Sequence, residues 1–137
     1  MPSNIIHAAK YRYFITVQNS NIVGVVIAQQ LSIGYLLEER NTQEENTILI
    51  QSTTPVPILL GIHALWIDGA YRRQGISTRL VDAIRNSFIY NLVISKTQVA
   101  FSQPTRMGLS FATDYLHPHP VVVYGEENKQ EEITKKA

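Results

Sequence analysis

Tyr71-Arg72-Arg73-Gln74-Gly75-Ile76-Ser77-Thr78 is the stretch on which the fold turns, because of what lies on either side of it. Before it runs Leu60-Gly61-Ile62-His63-Ala64-Leu65-Trp66-Ile67, an apolar segment suited to a central strand buried on both faces. After it, Gly75–Tyr90 carries the clearest helical periodicity in the chain. Ile76, Leu80, Ala83, Ile84, Ser87 and Phe88 recur at helical spacing, while Arg79, Asp82, Arg85 and Asn86 fall on the other side. At 1.5 Å rise per residue that helix is about 24 Å long. The order is therefore strand, loop, helix. Asp68–Gln74 forms the loop, and the helix opens at Gly75.

A helix opening of this composition is an anion cradle. Unpaired N–H groups and the positive end of the helix dipole favour negative charge there. Gly75 lets the backbone approach a ligand closely, Arg72 and Arg73 add positive charge, and Ser77 keeps the loop open. A solvated pair of arginines at an ordinary helix start is the competing reading, and the buried strand just upstream favours the cradle.

Working outward, Tyr11–Gln18 reads as a strand, Asn19-Ser20-Asn21 as a turn, and Ile22–Ala28 as the returning strand of an antiparallel hairpin. Ser32–Leu37 is a short third strand, and Arg40–Asn46 a polar loop. Thr47–Ser52 is a strand, with Thr53-Thr54-Pro55-Val56-Pro57 as a connection or strand edge, since proline supplies no ladder donor. Beyond the main helix, Gln98–Ser102 is a strand, Pro104–Leu116 a second amphipathic helix, and Val121–Tyr124 a final short strand. The sum is an α/β fold with a mixed sheet, in one domain over residues 1–125. Residues 126–137 form a charged tail.

Composition bounds the function. The chain has 137 residues, 45% apolar and 17% charged, which fits one globular core. A formal net charge of +1 gives no case for direct nucleic-acid binding. With no cysteine, disulfides, a thiolate zinc site and a cysteine nucleophile are excluded. His117-Pro118-His119-Pro120 lacks further ligands and reads as a turn, so no metal is expected. No apolar run approaches the length of a membrane span, and Met1-Pro2-Ser3-Asn4 is unlike a secretory signal; a soluble intracellular protein is expected.

Arg72-x-x-Gly75-x-Ser77 resembles the acetyl-CoA signature of GNAT acetyltransferases. Further strings are similar to one branch of that superfamily, the cohesin acetyltransferases that establish sister chromatid cohesion. They include Gly61–Ile67, Asn86-Ser87-Phe88-Ile89-Tyr90, Ala100-Phe101-Ser102-Gln103-Pro104-Thr105 and Gly108-x-x-Phe111-Ala112. The resemblance runs from about residue 22 to about residue 124. It implies a GNAT fold, a mostly antiparallel mixed sheet of six or seven strands flanked by helices, with acetyl-CoA wedged where two central strands splay. Leu65, Trp66 and Ile67 would pair with the pantetheine arm through their backbone. Arg73, Gln74, Gly75, Ile76, Ser77 and Thr78 would hold the pyrophosphate. Thr105, Arg106 and Met107 would complete the cofactor site.

The implied reaction is direct transfer of acetyl to a lysine ε-amine, with the Smc ATPase head of cohesin as protein substrate. Other cohesin or replication factors are further partners, in the nucleus. An amine must shed a proton to attack the thioester, so a carboxylate or imidazole within reach is needed. The resemblance carries the base onto Asp82, whose competing reading is an ion pair with Arg79 or Arg85. His63 is second, standing where the family has serine. Gln103 stands where animal members carry an aspartate, and can position an amine without taking its proton. Ala64 replaces an expected arginine, and the family's zinc finger is missing. Two rivals stay open: an acetyltransferase for small amines or other proteins, and a cofactor-binding module without turnover.

Overall fold

The computed structural model describes residues 11–41, 43–44, 47–102 and 106–125. The N-terminal residues 1–10, Gln103, Thr105 and the charged tail read over 126–137 lie outside the described residues. Strand β1 (Tyr11–Gln18) and β2 (Asn21–Gln30) form the expected hairpin. Asn19 and Ser20 between them both take positive φ, 51° and 67°. That is the turn whose twist matches paired strands, and asparagine tolerates it best.

A second hairpin, β3 (Ile33–Asn41) with β4 (Thr47–Pro57), is longer than the sequence predicts. The strand expected to end at Leu37 continues to Asn41, and the one expected to end at Ser52 runs through both prolines. Pro55 pairs with Tyr35 and Pro57 with Ile33. They are tolerated because β4 is the outermost strand, so their missing N–H groups cost no ladder bond on the outer side.

The remaining elements are β5 (Leu60–Ile67), α1 (Ile76–Ser87), β6 (Val99–Ser102), α2 (Arg106–Leu116) and β7 (Val122–Tyr124). All strands join one seven-stranded sheet in the order β1-β2-β5-β6-β7-β3-β4. β5 is antiparallel to β2 and parallel to β6, and β6 is parallel to β7. The two parallel connections pass through α1 and α2, as parallel neighbours require.

The core lies between sheet and helices. Val26 and Ala28 of β2, Leu60 and Ile62 of β5, Leu80, Val81 and Ile84 of α1, and Ala112 and Leu116 of α2 are all buried in it. Each larger apolar side chain so buried stabilises the fold by about 1.5–3 kcal/mol. The buried arc of α1 is turned from the one its periodicity predicts. Val81 is fully buried, while Ala83 and Ser87 are exposed and Asp82 and Arg85 half-buried. The rotation follows from a second neighbour, because α1 packs on the sheet and also meets α2 through Tyr115.

Candidate functional site

β5 is central in the sheet, but only its first part has neighbours on both sides. Leu60, Gly61 and Ile62 pair with Val99, Ala100 and Phe101 of β6, and that ladder goes no further. From Ala64 to Ile67 the strand stays paired with β2. In a strand, backbone groups alternate in direction, so this segment directs a row of N–H and C=O groups away from β2. The expectation of two buried faces holds for Leu60–Ile62 and fails beyond it, where Trp66 is 49% exposed. The reason is the divergence from β6.

His63 sits at the point of divergence. Ile62 faces Ala28 and Ala64 faces Ile27, so His63 is the extra residue of a β-bulge. Its ring, half-buried, lies 5.0 Å from that of Tyr11 at a tilt of 43°. Bulges re-aim side chains, and this one helps to line a cavity.

The cavity has a volume of about 710 Å³, within the size range of sites for small molecules and cofactors. Residues from Ile62 to Ile67 form one wall, with Phe101 and Ser102 from the end of β6. Tyr71, Arg72, Arg73, Gly75, Ile76 and Ser77 form the floor, and Gly108 and Phe111 of α2 close the far side. The cavity thus gathers Leu65, Trp66, Ile67, Arg73, Gly75, Ile76, Ser77 and His63 in one place. Gln74 and Thr78, assigned to the same cradle from sequence, are exposed beside it and are not among its lining.

The floor is shaped by backbone contacts. Asp68 accepts from the N–H of Ala70 at 3.0 Å and gives its own N–H to the Val23 carbonyl at 2.8 Å, fixing the turn at the end of β5. Arg72 Nε donates back to the Ile67 carbonyl at 3.3 Å. Arg73 and Gly75 have positive φ, 63° and 76°, which wrap the chain into the helix start. Gly75 is the N-cap and offers no side-chain acceptor, so no capping side chain competes for the first N–H groups of α1. Arg79 Nη1 holds the Gln74 carbonyl at 3.0 Å. An anion meets donors and positive charge here.

Asp82 is not brought to the cavity. Its Oδ1 accepts from Arg85 Nη1 at 3.0 Å and from the Tyr115 hydroxyl at 2.5 Å, while Arg85 Nη1 also donates to Tyr115 Oη at 3.0 Å. The ion pair with Arg85, the competing reading of Asp82, is therefore present. Burial, and next the hydrogen bond to Asp82, push the Tyr115 hydroxyl up to about 12, with Arg85 opposing. Lys96 Nζ lies 4.4 Å from the centre of the same ring. Gln103 and Thr105, the other proposed positions, lie outside the described residues; Arg106 and Met107 open α2.

Tyr71, Phe101, Ser102 and Phe111 line the cavity although the sequence alone assigns them no role. A signal for them exists, since all four fall in strings that single out this site or carry the resemblance. Tyr115 has none beyond its helical spacing from Phe111. Among the described residues no three or more His, Asp or Glu side chains group as a metal site requires, and no helix is long and apolar enough to cross a membrane.

Comparison with known proteins agrees with this geometry. Residues 56–124 match the ESCO1/2 acetyl-transferase family. The chain is 33% identical to human N-acetyltransferase ESCO1 over 123 residues, covering 82% of this chain and 15% of that protein. With N-acetyltransferase eso1 of Schizosaccharomyces pombe the identity is 32% over 115 residues, or 80% of this chain and 13% of the relative. The chain thus spans about one-seventh of the length of these relatives. The solved xEco2 acetyltransferase domain superimposes with a TM-score of 0.76 at 34% identity, over 84% of this chain and 68% of that one, in a complex with a K105-CoA conjugate. With its splayed central strand, its glycine-capped helix and its match to family and fold, this chain belongs to the ESCO1/2 acetyl-transferase family and carries the family's GNAT-like acetyltransferase domain.

Proposed function

We propose that the protein transfers acetyl from acetyl-CoA to a lysine ε-amine, with the Smc head of cohesin as substrate and the establishment of sister chromatid cohesion in the nucleus as its role. The observation that carries this reading is the edge of β5 beyond Ile62, which pairs with no strand on the β6 side among the described residues, leading into the Gly75-capped start of α1. An elongated ligand with amides along one part and phosphates at one end fits that sequence of groups. Leu65, Trp66 and Ile67 would bond the pantetheine amides through their backbone. Arg73, Gly75, Ile76 and Ser77, with Gln74 and Thr78 beside them, would hold the pyrophosphate, and Thr105, Arg106 and Met107 would complete the site. The relative xEco2, solved with a CoA conjugate, supports this assignment.

Acetyl-CoA supplies an activated acyl group. The lysine nitrogen forms a bond to the carbonyl carbon, the C–S bond breaks, and the thiolate leaves to take up a proton. The nitrogen's proton passes to a base at the cavity wall, directly or through water. His63 is the base we favour, because it lines the cavity. Gln103 would orient the amine. The metal-free reaction and the absence of direct nucleic-acid or membrane contact follow from the same reading.

The test is acetyl transfer from labelled acetyl-CoA to a purified cohesin Smc head fragment, beside an Arg73→Glu, Gly75→Asp double variant. Lysine labelling that the variant loses supports cofactor site and substrate class together. Cofactor binding without labelling moves the reading to small amines, other proteins or a module without turnover. A folded protein that does not bind acetyl-CoA overturns it. Gln103 and Ala64, the departures from the family pattern, are the observations that keep the non-catalytic reading in view.

A further inference from the structure

Away from the cavity wall, a polar cluster joins the two helices that flank the cofactor site. Asp82 and Arg85 project from α1, one turn apart, and Tyr115 from the last turn of α2. Tyr115 is 5% exposed, so its hydroxyl has little access to water and depends on these partners. It donates to Asp82 Oδ1 at 2.5 Å and accepts from Arg85 Nη1 at 3.0 Å. Arg85 has a third tie, from Nε to the Ile94 carbonyl at 2.8 Å, in the segment that leads to β6. Lys96 lies over the Tyr115 ring from the same segment.

The Tyr115 ring continues the chain of contacts toward the cavity. It stacks on Phe111 with centroids 5.4 Å apart and planes 23° apart. Phe111 in turn meets Phe101 edge-on at 6.3 Å, and both phenylalanines line the cavity. From Asp82 to the cavity there are two steps, a charge-assisted hydrogen bond and an aromatic stack.

We infer that Asp82 is a positioning residue, which holds α2 against α1 through Tyr115 and thereby sets the Phe111 wall of the acetyl-CoA site. This rests on the acetyltransferase reading given above. Asp82 Oδ1 is shared by Arg85 and Tyr115, and the side chain is absent from the cavity lining. A single acceptor receives from a guanidinium on its own helix and a phenol on the next, so the spacing of the helices is fixed at a point. Phe111 cannot shift without moving the ring on which it stacks.

Three variants and three readouts test the inference. Acetyl-CoA affinity and the kcat–pH profile are measured for wild type, Asp82→Asn, Tyr115→Phe and the double variant. Amide exchange along α2 is followed in the same proteins without ligand. Both single variants keep the shape of the side chain they replace, since Asn and Phe are near-isosteric with Asp and Tyr. Tyr115→Phe is expected to weaken acetyl-CoA binding about threefold to tenfold, the range that one lost hydrogen bond carries, and Asp82→Asn to weaken it by less, since its amide oxygen still accepts without the charge. The double variant is expected to bind no worse than the weaker single, because Tyr115→Phe removes the same hydrogen bond that Asp82→Asn weakens by taking away the acceptor's charge. Exchange in α2 rises in every variant, and the pH profile of Asp82→Asn keeps the wild-type shape.

Loss of kcat by about a hundredfold or more in Asp82→Asn, with intact binding, an altered pH profile and a normal Tyr115→Phe, assigns proton transfer to Asp82 and overturns the inference. Unchanged binding and unchanged α2 exchange in both single variants overturn it as well, as do additive losses. Failure of the acetyltransferase reading has a separate signature, a wild-type protein that does not bind acetyl-CoA. That result removes the site in question whatever the variants do.

Discussion

The rings of Tyr11 and His63 lie 5.0 Å apart with their planes inclined at 43°, one on the first strand of the hairpin and one at the bulge of β5. Two strands separate in sequence are thereby joined at the cavity wall, reaching across β2, with which Tyr11 pairs at Gln29. His63 is thus oriented from outside the cavity. If it removes the amine proton, His63→Ala lowers kcat by about a hundredfold or more while acetyl-CoA affinity stays near wild type. Tyr11→Leu, which leaves the imidazole unsupported, lowers kcat by less and has the same silent effect on affinity. Steady-state kinetics with a separate binding titration check both.

Gly75→Ala is expected to cost about 1–2 kcal/mol of stability and to weaken acetyl-CoA binding. Gly75 has φ of 76°, and a β-carbon there is strained whatever room surrounds it. There is room, since the nearest atom, Arg79 Nη1, would be 3.4 Å away. The effect therefore comes from the backbone, and Gly75→Asn, which tolerates the left-handed region better, recovers part of the stability. Urea unfolding and ligand titration distinguish the two contributions.

Gly61→Ala is expected to destabilise the protein by about 1–3 kcal/mol, with Gly69→Ala as a neutral control. A β-carbon at Gly61 would lie 2.9 Å from the ring of Tyr124, and Tyr124 is itself buried. At Gly69 nothing lies within 4 Å. Chemical denaturation of the pair gives the difference without reference to activity.

Alkaline titration reports on the α1–α2 cluster. The Tyr115 hydroxyl is pushed from 10.0 up to about 12 by burial and by Asp82. The unfolded chain therefore releases this proton first, and the folded state binds more protons between the two values. Stability from this group is fully present below about pH 10 and is lost as pH rises toward 12. Tyr124, raised further by burial, acts in the same sense. Tyr115→Phe is expected to flatten the fall in denaturation midpoint over that window, and tyrosinate absorbance follows the same groups directly.

Much of the fold is legible in local sequence. The hairpin at Asn19-Ser20, the central strand Leu60–Ile67 and the helix after Gly75 are each marked by turn residues, apolar runs or helical spacing, and each is present, the helix ending at Ser87 rather than at Tyr90. The strand through Pro55 and Pro57 is less legible, because proline reads as a break unless the strand is known to be outermost, and order in a sheet is a long-range property. The buried face of α1 escapes the sequence for a related reason. Periodicity finds one apolar stripe, and it does not register a second neighbour that packs polar groups.

That Arg73, Gly75, Ile76 and Ser77 line one cavity is legible because they are near neighbours in sequence. The site's other half is not. Nothing in the spacing of Asp82, thirty-three residues before Tyr115, announces the hydrogen bond between them. Neither does the sequence show that the pairing of β6 stops beside Ile62 and leaves the rest of β5 to line a cavity. The first depends on how two helices dock, and the second on where one short ladder ends.

The prolines of β4 also decide how copies of this protein can meet. An outermost strand is a template on which another chain can zip, and here the two outer strands differ. β4 is blunted at its end by Pro55 and Pro57 and broken by an irregularity in its pairing beyond Tyr35. β1 has no proline and keeps its register with β2 from Tyr11 to Thr16. Strand addition is obstructed at the end of β4 that holds Pro55 and Pro57, while residues 47–54 of the same strand keep their backbone donors. Two molecules joined β1 to β1 would present only their β4 sides to a third, where the two prolines shorten the stretch on which a further strand can pair.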